Sequence, residues 1–406
     1  MIIHLKDLPE KRNYIILKRK FMKIILKILE DKKYPWKIRN KIKNGKISIK
    51  KLKNIFKKEN ISLKKIENNV YWIGGNNSKG LSNPRSPINF ATRSGARFIA
   101  AIINDGTLTK EGKNSHGRLM YDNFDKSQRE SIIKDYLNIF GGNKNEIAFR
   151  NTEKKKYLEF SSITRDIVEL VIKAKGPKCE SNLLMPEFIL KNKETMLGWV
   201  EQTIADEGEV KYNPKKYRRA IAWRRSLDIT NSIKHNINKE TSIRQLPKKI
   251  QILVENQKCN LIEYEKKILD SLGINYLIFN LGIYPTTKNK IRTKWQILIQ
   301  KRENLLKLRK LITIPSKEKN KKFSQAVKSY IRYKEIPNIR KTILKLGRGN
   351  KNFTAKDFKR RMNYKNIGNT YKWLKIFEKQ GLIKKIKESK YGQGRYRRSA
   401  EYKLIF

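Results

Sequence analysis

Ile-Ala-Ala-Ile-Ile-Asn-Asp-Gly (residues 99–106) and Thr-Ile-Ala-Asp-Glu-Gly-Glu-Val (residues 203–210) decide how this chain is read. Each is a short apolar stretch with small residues that ends in a carboxylate directly before a glycine. Each is followed by a β-prone run. The spacing predicts two helices that carry an acid at the C-terminal end, with the glycine providing a left-handed stop. A carboxylate in that place sits against the negative end of the helix dipole and calls for a cation or a proton. The acids Asp105 and Glu207 stand about 100 residues apart, the span of one small domain repeated once. Two such helices suggest a pair of acids meeting around a metal.

These segments resemble the twin motifs of single-chain LAGLIDADG homing endonucleases. Ala100, Ala101, Asp105 and Gly106 hold the small and acidic places of the first motif. Thr203, Ala205, Glu207 and Gly208 hold those of the second, where Asp206 competes with Glu207 for the metal. The resemblance implies two helices packed at the centre of a pseudo-dimer, with Asp105 and Glu207 binding Mg²⁺ (Mn²⁺ as a substitute) over DNA. It also implies a lysine after the last helix of each half. Lys173, Lys175 or Lys178 would serve in the first half, Lys175 being preferred. Lys317 or Lys319 would serve in the second, Lys317 being preferred.

Composition points to the same class of partner. The 406 residues hold 95 Lys+Arg against 37 Asp+Glu, a formal charge of +58. Such an excess makes a polyanion the expected partner, and double-stranded DNA is preferred over an anionic membrane surface. With 38% hydrophobic and 10% aromatic residues the chain can build cores rather than a basic tail. Cys179 and Cys259 show no paired spacing, and His4, His116 and His235 are scattered, so neither a disulfide framework nor a zinc site is expected. No apolar run approaches the ~18 residues of a membrane helix, and the N-terminus lacks signal-peptide anatomy. The expectation is a soluble, cytoplasmic, nucleoid-associated monomer.

The expected fold class is α+β. Two pseudo-symmetric αββαββα halves, residues 91–185 and 186–320, are flanked by a helical N-terminal module and a C-terminal winged helix. Residues 1–75 read as basic and helical, either a helix-turn-helix-like reader or a basic scaffold. Residues 76–90, rich in turn formers, read as a linker. The stretch from Ser232 to Lys258 interrupts the second half as polar helical or irregular surface. Residues 338–406 resemble a winged helix, DNA-gripping or protein-binding, with Thr354 as a helix cap and Arg395, Arg397 and Arg398 at the wing tip. Lys372 lies on its third helix.

By the same resemblance the strands would form a saddle on the major groove. Arg118, Tyr121, Arg150, Lys156, Lys211, Arg218, Arg224, Lys290 and Arg292 are then candidates for base or phosphate contact. The functional expectation is a site-specific, metal-dependent DNA endonuclease. The alternative is a catalytically inactive, sequence-specific DNA-binding protein on the same fold, a transcription regulator or splicing helper. An RNA-binding role is permitted by charge but has no base-stacking signature behind it.

Overall fold

The computed structural model describes residues 1–9, 13–44, 47–75, 79–109, 117–153, 155–173, 182–213, 218–233, 240–286, 290–332, 339–348, 351–362, 364, 367–387 and 400–405. The chain divides into two compact units, Met1–Gln325 and Ala326–Phe406. Among the described residues, no helix is long and apolar enough to cross a membrane.

The first unit opens with β1 (Ile2–Ile3), β2 (Asn13–Leu17), α1 (Arg19–Asp31), α2 (Trp36–Lys43), β3 (Ile47–Ser48), α3 (Ile49–Lys58), α4 (Leu63–Glu67), β4 (Val70–Gly75), β5 (Leu81–Ser82) and β6 (Ile88–Asn89). This region is not the purely helical module expected. The apolar run beginning at Asn13 divides into a strand and a helix. Asn13, Ile15 and Leu17 are buried while Tyr14 and Ile16 are less so, a period of two that fits a sheet. From Phe21 the buried positions change to Phe21, Ile25 and Leu29, a helical period. The sheet runs in the order β3-β2-β4-β5. The expected linker therefore contributes β5, whose Leu81 is fully buried, and β6, which pairs with β1.

Two similar runs of elements follow. The first is α5 (Arg93–Asn104), β7 (Gly106–Leu108), β8 (Leu119–Asp122), α6 (Lys126–Phe140), β9 (Ala148–Asn151), β10 (Lys156–Phe160) and α7 (Ser162–Ile172). The second is α8 (Lys193–Asp206), β11 (Glu209–Asn213), β12 (Arg218–Asp228), α9 (Lys248–Glu255), α10 (Asn260–Ser271), β13 (Leu277–Pro285), β14 (Ile291–Ile299) and α11 (Arg302–Leu311). Their antiparallel sheets share one strand order, β7-β8-β10-β9 and β11-β12-β14-β13. The inserted stretch is not only surface: α9 buries Val254 with Leu227, Ile283 and Ile291 in a small core of its own.

Thr92 and Asn192 cap α5 and α8, each side chain accepting a backbone N–H from the first turn. The helices approach closely. A Cβ on Gly198 would lie 2.4 Å from the Arg93 carbonyl oxygen and 3.2 Å from Ala96 Cβ. The buried Glu201 of α8 accepts from Arg93 and from Arg97 of α5, tying the same faces together by ion pairs. Gly106 and Gly208 do not take the expected left-handed conformation; neither is among the positive-φ glycines. Both are required by space. A Cβ on Gly106 would stand 2.6 Å from Ile102 Cα, and one on Gly208 2.4 Å from the Ile204 carbonyl oxygen.

Helix α12 (Lys317–Arg332) crosses the unit boundary. The second unit continues with α13 (Ile339–Leu346), β15 (Phe353–Thr354), α14 (Ala355–Arg361), α15 (Ile367–Lys379), β16 (Ile383–Lys387) and β17 (Glu401–Leu404). Its sheet order is β15-β17-β16, over a core that includes Phe353, Phe358, Leu374, Phe377 and Leu404. Thr354 and Asp357 form a capping box at α14.

Candidate functional site

The C-terminal ends of α5 and α8 bring three carboxylates into one neighbourhood. Asp105 is the C-cap of α5, Asp206 the last residue of α8, and Glu207 the C-cap of α8. The ladder of β7 and β8 carries Asn123 to Asp105, where its Nδ2 donates to Oδ2 at 3.1 Å. Asp206 is enclosed by donors. Its Oδ1 accepts from Tyr121 Oη at 2.7 Å and Gln202 Nε2 at 2.8 Å, and its Oδ2 accepts from Asn104 Nδ2 at 3.1 Å.

Burial, and after it the charge of Asp105, pushes the Asp206 carboxyl up to about 8. A proton there has a place to go. Gln202 Oε1 is buried without a partner, and turning that amide over would let it accept from a protonated Asp206. Burial, with Asp206 next, also holds the Tyr121 hydroxyl well above the usual phenol range.

Glu207 has different company. Arg225 Nη1 lies 3.7 Å from Glu207 Oε1; the arginine side chain is 5% exposed and the glutamate 35%. The guanidinium is fixed from several sides. It donates to Glu265 Oε1 from Nε at 3.1 Å and Nη2 at 2.5 Å, and to Asn104 Oδ1 from Nη1 at 2.7 Å. Glu265, itself 1% exposed, also accepts from Trp223 Nε1 at 2.7 Å and Trp199 Nε1 at 3.3 Å.

A second cation reaches the acids from α12. Lys319 Nζ donates to the Ala205 carbonyl at 2.5 Å and to those of Ile204 and Asp206 at 3.4 Å, offsetting the negative end of α8. Burial lowers its pKa, opposed by the charges of Asp206, Asp105 and Glu207.

Of the expected catalytic lysines, the structure brings Lys319 to the acids and not Lys317, which is exposed and whose backbone N–H donates to Ser127 Oγ. Lys175 and Lys178 lie outside the described residues, as do Arg395, Arg397 and Arg398. Tyr121, expected on a DNA-facing strand, points the other way: it is fully buried and serves Asp206. The reading of the sequence missed Asn104, Asn123, Arg225 and Glu265. The equal separations from Asp105 to Asn123 and from Glu207 to Arg225 could have flagged the middle pair, but only with the hairpin register in hand.

The expected Mg²⁺ can be judged against these donors. Among the described residues there is no group of three or more His, Cys, Asp or Glu placed to hold a metal. Asp105 nonetheless offers a hard oxygen beside a second acid whose ionisation it opposes, a position a divalent cation relieves. The donor set suits an ion that keeps its waters and completes its shell from phosphate oxygens, as Mg²⁺ does.

The outer face of the second sheet is cationic. Arg224 is exposed, with Gln296 and Phe279 in its cross-strand row; Lys294 faces Ser226 in the next row, and Arg292 faces Asp228 in the third. Arg218 is exposed at the start of β12, with Lys211 nearby on β11 and Lys290 3.7 Å from Asp228. On the first sheet, Arg118 and Arg150 are exposed and both approach Glu159, at 3.6 and 3.5 Å; Lys156 lies at the start of β10. In the second unit Lys372 is exposed on α15.

No protein-family model matches the sequence, and no curated protein matches it. Among solved structures, the homing endonuclease I-WcaI bound to its DNA recognition sequence is similar at 12% identity and a TM-score of 0.30, over 57% of this chain and 87% of that one. The N-terminal LAGLIDADG domain of DUF199/WhiA is similar at 10% identity and a TM-score of 0.26, over 54% of this chain and 83% of that domain's chain.

Proposed function

We propose that this chain is a double-stranded-DNA-binding protein built as a LAGLIDADG-type pseudo-dimer, and that the acids between its central helices serve Mg²⁺-dependent hydrolysis of a DNA phosphodiester. The observation that carries the reading is the convergence of Asp105, Asp206, Glu207 and Lys319 where α5 and α8 end together. The shared strand order of the two sheets, the cationic outer face and the +58 charge support DNA as the partner. The order of elements in the second unit supports a winged helix that adds a further grip through α15.

Asp105 would hold the divalent ion together with water and a phosphate oxygen. When bound, the ion screens phosphate charge and makes water a better nucleophile. Lys319 contributes positive charge to the acid cluster. Asn123 orients the Asp105 carboxylate by donating to it.

A second reading, DNA binding without cleavage, is favoured by one observation. Arg225 already stands against Glu207, so part of the charge that a metal would compensate is compensated internally. Incubation with a randomised duplex library in Mg²⁺, followed by sequencing of cut ends, tests the two. The nuclease reading expects defined ends, lost in Asp105→Asn while Mg²⁺-free binding is kept. Saturated binding with no cutting in Mg²⁺ or Mn²⁺ selects the second reading.

A further inference from the structure

The acids at the ends of α5 and α8 occupy matching positions but have unlike neighbours. Thr107, two residues beyond Asp105, pairs with Met120; Glu209, two residues beyond Glu207, pairs with Ala222. Three residues past those partners stand Asn123 and Arg225. The two hairpins therefore deliver one side chain each to the same place beside an acid. In the first it is a neutral amide, 3.1 Å from Asp105. In the second it is a guanidinium, 3.7 Å from Glu207.

Arg225 cannot withdraw without breaking its bonds to Glu265 and Asn104, and Glu265 is itself held by two indole N–H groups. A divalent ion approaching the part-exposed Glu207 meets a buried, fixed positive charge. One approaching Asp105 meets an amide and a second carboxyl group, and the charge of Lys319 acts on both acids, so Arg225 is what sets the two sides apart.

We propose that divalent-cation binding is confined to the Asp105 side, with Arg225 as the positioning residue that takes the place of a cation at Glu207. The inference rests on the nuclease reading above and turns it into cleavage of one strand in preference to the other. In that step a water oxygen bonds to phosphorus and one P–O ester bond breaks. The water's protons divide between the new phosphate and the departing oxygen, which leaves as a hydroxyl. With the ion on one side of the helix pair, one strand meets it first.

Terbium(III) titrated into the full-length protein, with Mg²⁺ as competitor, tests the assignment through luminescence sensitised by the tyrosine and tryptophans nearby. Asp105→Asn is expected to weaken Tb³⁺ binding by about tenfold or more, and Glu207→Gln by less than about threefold, with melting curves confirming that both fold. Equal weakening by the two substitutions overturns the proposal in favour of a shared site. Arg225→Gln combined with Glu265→Gln removes both buried charges and keeps hydrogen-bonding groups. It is expected to raise the stoichiometry from one Tb³⁺ to two, and a value that stays at one overturns the role given to Arg225. If no Mg²⁺-competed site exists while DNA is still bound, the metal-dependent reading itself fails, a result distinct from the other two.

Discussion

Asn104 Nδ2 donates to Asp206 Oδ2 across 3.1 Å, joining positions 102 residues apart that fall one place before the acid-glycine pair of each central helix. Ala96 and Gly198 meet in the same way two turns earlier. These contacts show how the helices are placed against each other. At the crossing, small residues allow approach at one end, and an amide and a carboxyl group fill the other.

That carboxyl group has a cost that depends on pH. With its pKa raised to about 8 in the folded protein, Asp206 takes up a proton on folding between the ordinary carboxylate range and pH 8. Its penalty is absent below about pH 4, grows as pH rises and levels off above about pH 8. Asp206→Asn keeps the shape, and its amide can donate to Gln202 Oε1 while its oxygen accepts from Asn104. In EDTA the variant is expected to melt several degrees higher than the parent at pH 7, with the difference shrinking toward pH 4. Thermal scans across that range check it; a difference independent of pH would show that no proton is linked.

Arg225 and Glu265 form a buried pair with 5% and 1% exposure. Removing one partner strands the other, so Arg225→Met is expected to cost roughly 3–5 kcal/mol in urea unfolding. Arg225→Gln with Glu265→Gln is expected to cost clearly less, because no charge is left unpaired and the stronger of the two tryptophan N–H bonds, that of Trp223, can keep the amide oxygen as its acceptor. A double variant as unstable as the single one would place the loss in packing.

The elements were legible where one period dominated. The central helices, the hairpins and the capping box at Thr354 rest on local patterns: small residues before an acid and glycine, alternating strands, and Thr followed three residues later by Asp. The strand Asn13–Leu17 was hidden because its apolar residues run without a break into those of α1, and a short apolar run fits either period. The site was half legible. Asp105 and Glu207 stand at helix ends visible in sequence, whereas Tyr121, Asn123 and Arg225 depend on strand register. One residue of slip would exchange buried Arg225 for exposed Arg224.

Gly106 and Gly381 are both glycine for different reasons, and alanine substitution separates them. Gly106 has no room, since a Cβ would press on the backbone of Ile102. Gly381 has open space but φ of +68°, where an L residue is strained. Gly381→Ala is expected to cost about 1–2 kcal/mol of the second unit's stability. Gly106→Ala is expected to cost about 1–3 kcal/mol and to weaken cation binding as well, because it shifts the turn that carries Asp105. Unfolding curves combined with Tb³⁺ titration distinguish them. Equal loss of Tb³⁺ binding in both would count against a local effect at Asp105.

Phosphate contact by the second unit can be counted through salt dependence. Lys372 and Lys375 are exposed one turn apart on α15, whose opposite side buries Thr370, Leu374 and Phe377. The expected outcome is that Lys372→Ala and Lys375→Ala each lower the slope of log Kobs against log salt by about 0.9, the signature of one released counterion per lost phosphate contact. Arg224→Ala, on the outer face of the second sheet, is the informative comparison. It should lower the slope by the same amount if it meets phosphate. It should instead change affinity for one sequence more than others if it reads a base edge, at about 1–3 kcal/mol of discrimination. Fluorescence anisotropy with duplexes of two sequences, between low and moderate salt, measures both quantities at once. Slopes unchanged by the α15 substitutions would remove that helix from the DNA interface and leave the sheets to carry it.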